Sequence, residues 1–100
     1  MTNFRKVLEL YNNNCEGHKA NESNIVYKDE SEEDITIKGN IKENGELNCY
    51  EIIFFKSKDC AKQYASICIY EGQYDEDNIW ESKSEDETII DKYVDAPNYI

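Results

Sequence analysis

Asn44-Gly45 stands between two stretches in which apolar residues recur at strand spacing, and it constrains the path of the chain more than any other dipeptide in it. Both residues accept the positive φ of a type I′ turn, so the flanking strands are expected to pair antiparallel as a hairpin. Upstream, Ile35, Ile37 and Ile41 alternate with Thr36 and Lys38, which predicts a half-buried strand over 34–42. Downstream, the strand 47–56 is apolar on both faces at Ile52-Ile53-Phe54-Phe55, which places it in the middle of a sheet.

The flanks supply the other elements. Ile25–Lys28 reads as a short first strand, joined to the next by a turn in the acidic run 29–34, DESEED. Residues 57–71 suit a helix through Cys60, Tyr64 and Ile67, or a strand through Ala65, Ile67 and Ile69. Their β-branched and aromatic residues favour a strand at 64–70, entered by a turn at Ser57–Cys60. A further short strand is expected through Ile79 and Trp80. Phe4, Val7, Leu8 and Tyr11 recur at helical spacing, with Thr2 or Asn3 as cap, Asn12-Asn13-Asn14 as stop, and a polar loop over 15–24. At the other end Ser84 and Glu87 match a capping box. Ile89, Ile90, Tyr93 and Val94 would form the apolar face of a second helix, closed by Pro97. The expected fold is therefore α+β. It is an antiparallel sheet of four to five strands with an N-terminal and a C-terminal helix packed on one face, in a single domain over 1–100.

Charge narrows the function. Twenty-two acids against 11 Lys and Arg leave a formal net charge of −11. Such a chain has no basic patch with which to release phosphate counterions, so direct binding to nucleic acid or to an anionic membrane is not expected. Eight tyrosines argue against a disordered acidic tail. The first ten residues lack the apolar core of a secretion signal, and no apolar run is long enough to cross a bilayer. A cytoplasmic protein with its four cysteines as thiols is the expectation.

The residues for chemistry are sparse. Cys15 and His18 have a C-x-x-H spacing, but Cys49, Cys60 and Cys68 form no short ligand motif, and zinc would require two of them to converge from the sheet. The plainer expectation is buried thiols at Cys49 and Cys68, with Cys15 on a loop. One histidine, no Gly-rich phosphate loop and no Ser/His/Asp set point away from an enzyme and from any cofactor. Asp75 and Asp77 begin like a calcium loop, which then fails because Ile79 and Trp80 stand where an oxygen ligand and a glycine belong.

The acids themselves are the positive signal. Seven of the fourteen residues in 74–87, YDEDNIWESKSEDE, are carboxylates. If 74–81 is extended, Asp75, Asp77 and Glu81 share one side. If the last element is a helix, Glu87, Asp91 and Asp95 form a ridge at i, i+4 spacing. The expected contact set is Glu32, Glu33 and Asp34 of the first cluster, Asp75, Glu76, Asp77, Glu81, Glu85, Asp86 and Glu87 of the second, and Asp91 and Asp95 after it. Tyr74 and Trp80 would be aromatic anchors. The partner would be a basic protein, foremost a nucleic-acid-binding enzyme. Phage-type antagonists of restriction and CRISPR nucleases work this way, and the likeness is one of size, charge and character alone. An acidic immunity or adaptor protein, docking on a basic partner without imitating nucleic acid, is the alternative.

Overall fold

The computed structural model describes residues 2–43, 45–56, 62–74, 80–81 and 88–100, of which 80–81 by backbone alone. Helix α1 (Asn3–Asn14) starts at its expected cap: Thr2 Oγ1 accepts from the backbone N–H of Arg5 at 3.2 Å. Its buried side, Val7, Leu8, Leu10 and Tyr11, carries the expected stripe.

Among the described residues seven strands follow: β1 (Ile25–Glu30), β2 (Asp34–Glu43), β3 (Glu46–Phe55), β4 (Tyr64–Glu71), β5 (Gln73–Tyr74), β6 (Trp80–Glu81) and β7 (Thr88–Asp95). Five form one antiparallel sheet in the order β1-β2-β3-β4-β7, and β5 with β6 makes a separate two-stranded ribbon. Glu43 pairs with Glu46, which leaves a two-residue loop in which Gly45 has φ +81°. The hairpin forms where Asn44-Gly45 predicts it, and β3 is the central strand. Asp29 and Glu30 end β1 and Asp34 opens β2, so the turn is confined to 31–33.

The register assigns two faces. Ile35, Ile37 and Ile41 of β2 share the inner face with Tyr50, Ile52 and Phe54 of β3 and Ala65, Ile67 and Ile69 of β4, all buried against α1. The rings of Tyr11 and Tyr50 lie 4.7 Å apart at the centre. Gly39 is directly opposite Tyr50, and a Cβ there would meet the ring at 2.4 Å, so only glycine leaves room for it. The loop after α1 is clamped back on the helix: Asn12 Nδ2 donates to Ala20 O and Ala20 N donates to Asn12 Oδ1, both at 2.8 Å.

The expected C-terminal helix is a strand. β7 pairs antiparallel with β4, Ile69 opposite Ile90 and Ala65 opposite Val94. Thr88, Ile89, Ile90, Tyr93 and Val94 favour extended backbone, and β4 has an open edge to be filled. Of the expected capping box, Ser84 and Glu87 lie outside the described residues, as do Ile79 and the turn at Ser57–Cys60. Past Pro97 the chain folds onto the helix side, where Tyr99 Oη donates to Lys6 O at 2.6 Å and Ile100 N donates to Gln63 Oε1 at 2.8 Å. Among the described residues no helix is long and apolar enough to cross a membrane.

Candidate functional site

Among the described residues one α-helix covers one face of the five-stranded sheet, and the outer face is covered only in part. Toward its hairpin end β5 lies across it: Asn40 Nδ2 donates to Tyr74 O at 3.0 Å and Tyr74 N donates to Asn40 Oδ1 at 2.8 Å. Cys49 points outward yet is fully buried, and burial pushes its thiol up to about 11. Lys38 sits beside the ribbon with Nζ 5.6 Å from the Tyr27 ring, 5.5 Å from the Tyr74 ring and 3.6 Å from Glu51.

Among the described residues nothing covers the end of the face away from the ribbon. Its first row crosses four strands as Asp34, Phe55, Tyr64 and Asp95, each directly opposite the next. The following row places Ile53 beside Ser66 and Tyr93. The rings of Phe55 and Tyr64 stack at 4.8 Å, and Tyr93 meets Tyr64 edge-on at 6.1 Å. Tyr93 is 74% exposed and Tyr64 38%. Asp91 lies two residues from Tyr93 on the same outer face, opposite Cys68, whose thiol is 3.5 Å from Asp91 Oδ1. Burial, with Asp91 adding, pushes that thiol up. An exposed ring face with carboxylates beside it can attract a cation by both groups together.

The expected contact residues divide into three groups. Asp34, Asp91 and Asp95 share this face, with Asp34 and Asp95 at the two ends of its first row, although they are far apart in the chain. Asp91 and Asp95 are not a helical ridge but neighbours along a strand face, about 13 Å apart instead of one helical turn. Glu32 and Glu33 stand exposed in the adjoining turn, where Glu33 O accepts from Lys56 N at 2.8 Å. Tyr74 corrects its expected role: it is 7% exposed under its own ribbon, so it serves the fold and not an interface. Asp75, Glu76, Asp77, Glu85, Asp86 and Glu87 lie outside the described residues, and Trp80 and Glu81 are described by backbone alone. Tyr74 pairs with Trp80 and Gln73 with Glu81, so the two described ends of this stretch lie side by side. Sequence reasoning missed Phe55, Tyr64 and Tyr93.

Two cysteine expectations also change. Cys15 is buried at the helix C-cap instead of lying on a loop, while Cys68 is only half-buried. His18 Nδ1 faces Glu43 at 2.9 Å, and among the described residues no three His, Cys, Asp or Glu side chains group as a metal site. A cleft of about 560 Å³ on the helix side is lined by Phe4, Arg5, Leu8, Glu22, Ile25 and Lys28. Its cations already have partners, Arg5 paired with Glu22 and Lys28 over the Phe4 ring at 5.1 Å. Comparison with protein-family models, curated proteins and solved structures finds no match for this chain.

Proposed function

We propose that this protein is a non-enzymatic binding inhibitor that presents its acidic outer face to the basic channel of a nucleic-acid-handling enzyme. The observation that carries the reading is the open row of Asp34, Phe55, Tyr64 and Asp95 in a chain of net charge −11. A field of that sign steers a basic partner to the surface quickly and repels nucleic acid and other acidic proteins. Buried aromatic area then slows dissociation, which charge alone does not do. An antagonist of a restriction or CRISPR nuclease, acting in the cytoplasm of a bacterial or phage-infected cell, is the concrete form of this proposal.

Mimicry in the strict sense draws less support than simple charge competition. The described acids on β7 are about 13 Å apart at Asp91 and Asp95, against 3.4 Å of rise per phosphate on a strand. The rings of Phe55, Tyr64 and Tyr93 favour the second reading, an adaptor or immunity protein whose partner need not bind nucleic acid at all.

Capture by the tagged protein from bacterial lysate, with and without excess duplex DNA, separates the two. A nucleic-acid enzyme recovered alone and displaced by DNA is the expected result. A partner retained equally in both arms would leave the adaptor reading and end the inhibitor one.

A further inference from the structure

We propose that Tyr93 and Tyr64, with Asp91 and Asp95 beside them, form a receptor for the cationic side chains of an extended basic segment of the partner protein. The inference rests on the reading of this chain as the binder of a basic protein, and it names the element of the partner that is recognised. Its template lies on the same face. There Lys38 Nζ is held within 5.6 Å of two tyrosine rings, Tyr27 and Tyr74, with the Glu51 carboxylate 3.6 Å away. Tyrosine rings and a carboxylate thus already hold one ammonium on this sheet.

The β7 end repeats those components, and among the described residues no ion pair or cation–π contact puts a cation of the chain there. Tyr93 stands at 74% exposure between Asp91 and Asp95, with Tyr64 edge-on at 6.1 Å and Phe55 widening the platform behind it. The nearest lysine in sequence, Lys92, points to the inner face, where its ammonium donates to Asn14 O at the end of α1. Among the described residues, ion pairs engage Glu22, Glu30, Glu43 and Glu51, and neither Asp91 nor Asp95.

Charge complementarity selects the occupant. A phosphate backbone would meet carboxylates, and a second copy of the chain would bring its own net charge of −11 against the same surface. A guanidinium or ammonium gains both the ring face and the carboxylate. Asp91, Tyr93 and Asp95 follow one another at about 6.6 Å per two-residue step, the same step at which alternate side chains of an extended segment recur. A segment with arginine or lysine at alternate positions therefore matches the row without bending.

The probe is a ten-residue peptide alternating arginine and serine, titrated into the full chain by calorimetry at 0.15 M salt. Tyr93→Ala is expected to weaken binding about three- to fivefold, the size of a cation–π contact at a partly desolvated site. Joint Asp91→Asn and Asp95→Asn is expected to weaken it about three- to tenfold, as two surface charge contacts allow. Glu9→Gln with Glu16→Gln, on the helix side, should leave it within twofold. Amide shifts on titration should move at 64–68 and 89–95 and stay still on α1, which reads the site without any variant. Equal losses at the helix-side acids, no loss with Tyr93→Ala, shifts centred on α1, or a self-dimer that buries Tyr93 would each overturn the receptor. A chain that binds the peptide here but captures a DNA-indifferent partner keeps this inference and loses the inhibitor reading. A DNA-displaced enzyme whose capture ignores Tyr93→Ala does the reverse.

Discussion

Gly39→Ala tests the packing that holds the sheet to its helix. The added Cβ would lie 2.4 Å from Tyr50 Cε1 and Oη and 2.5 Å from Cζ. Ordinary carbon contacts are about 3.5–4.0 Å, so the ring or the strand must yield by roughly 1 Å. The ring has little room to do so. It is fully buried, lies 4.7 Å from the Tyr11 ring, and donates from its hydroxyl to Asn24 Oδ1 at 3.2 Å. Overpacking of this kind costs about 1–3 kcal/mol, and loss of the hydroxyl contact adds about 1 kcal/mol. The stiffer unfolded chain returns about 0.4–1 kcal/mol. The net expectation is a loss of about 1–3.5 kcal/mol, a large share of a stability on the order of 5–10 kcal/mol. Chemical denaturation followed by tyrosine fluorescence gives the value directly. A double-mutant cycle with Tyr50→Leu should recover at least about 1 kcal/mol of the loss, because the two positions are in contact. A Gly39→Ala protein as stable as the parent, or a cycle with no coupling, would refute the account of why this position is glycine.

Alkaline pH should unfold the protein earlier than its charge alone implies. Burial pushes the Cys49 thiol up to about 11 and the Tyr11, Tyr50 and Tyr74 phenols upward as well. Their contribution is complete below the unfolded values of about 8.5 and 10 and is lost as pH rises toward the folded ones. The urea midpoint is therefore expected to hold near pH 8 and fall above pH 9, less steeply in Cys49→Ala; a midpoint flat to pH 11 contradicts the burial. Lys92→Met should lower the melting temperature by several degrees, since a cation at a helix C-terminus is worth about 0.3–1 kcal/mol. Because an inward-pointing charge also discourages pairing at a sheet edge, light scattering should show this variant associating more than the parent. Salt should raise the melting temperature of the parent by screening its self-repulsion, and a fall between 0.05 M and 0.3 M would count against that.

The hairpin, the central strand and α1 were legible because short-range rules determine them. Asn44-Gly45 fixed a turn, isoleucines at strand spacing fixed the inner face of β2, and Phe4 to Tyr11 fixed a helical stripe. Cys15 continues that stripe four residues beyond Tyr11, so its burial could have been read as well. β7 was not legible. Its inner face carries Ile90, Lys92 and Val94, and its outer face Asp91, Tyr93 and Asp95, with Ile89 unpaired where the register shifts. Charge on both faces hides the period of two, while Ile89, Ile90, Tyr93 and Val94 also fit a helical wheel. The vacancy beside β4 favours the strand, and a vacancy of that kind does not show in a local window.

The candidate face was hidden for a related reason, yet one clue to it was in plain view. Its first row draws Asp34, Phe55, Tyr64 and Asp95 from four strands, so no linear motif contains it. The clue is the run Ile52-Ile53-Phe54-Phe55, apolar on both sides of the central strand. Ile52 and Phe54 face α1 and are fully buried, which leaves Ile53 and Phe55 for the other side. The described chain supplies only the β5–β6 ribbon to that side, and β5 lies over Asn40 and Cys49, toward the opposite end of the strand. Apolar area on β3 thus continues past its own cover, and Tyr64 and Tyr93 stand where the cover stops. A monomer that needed this area only for stability would carry polar residues at those outward positions, as Ser66 does between them. Aromatic residues there, with Asp34, Asp91 and Asp95 on the same face, are the surface that the proposed basic partner would cover.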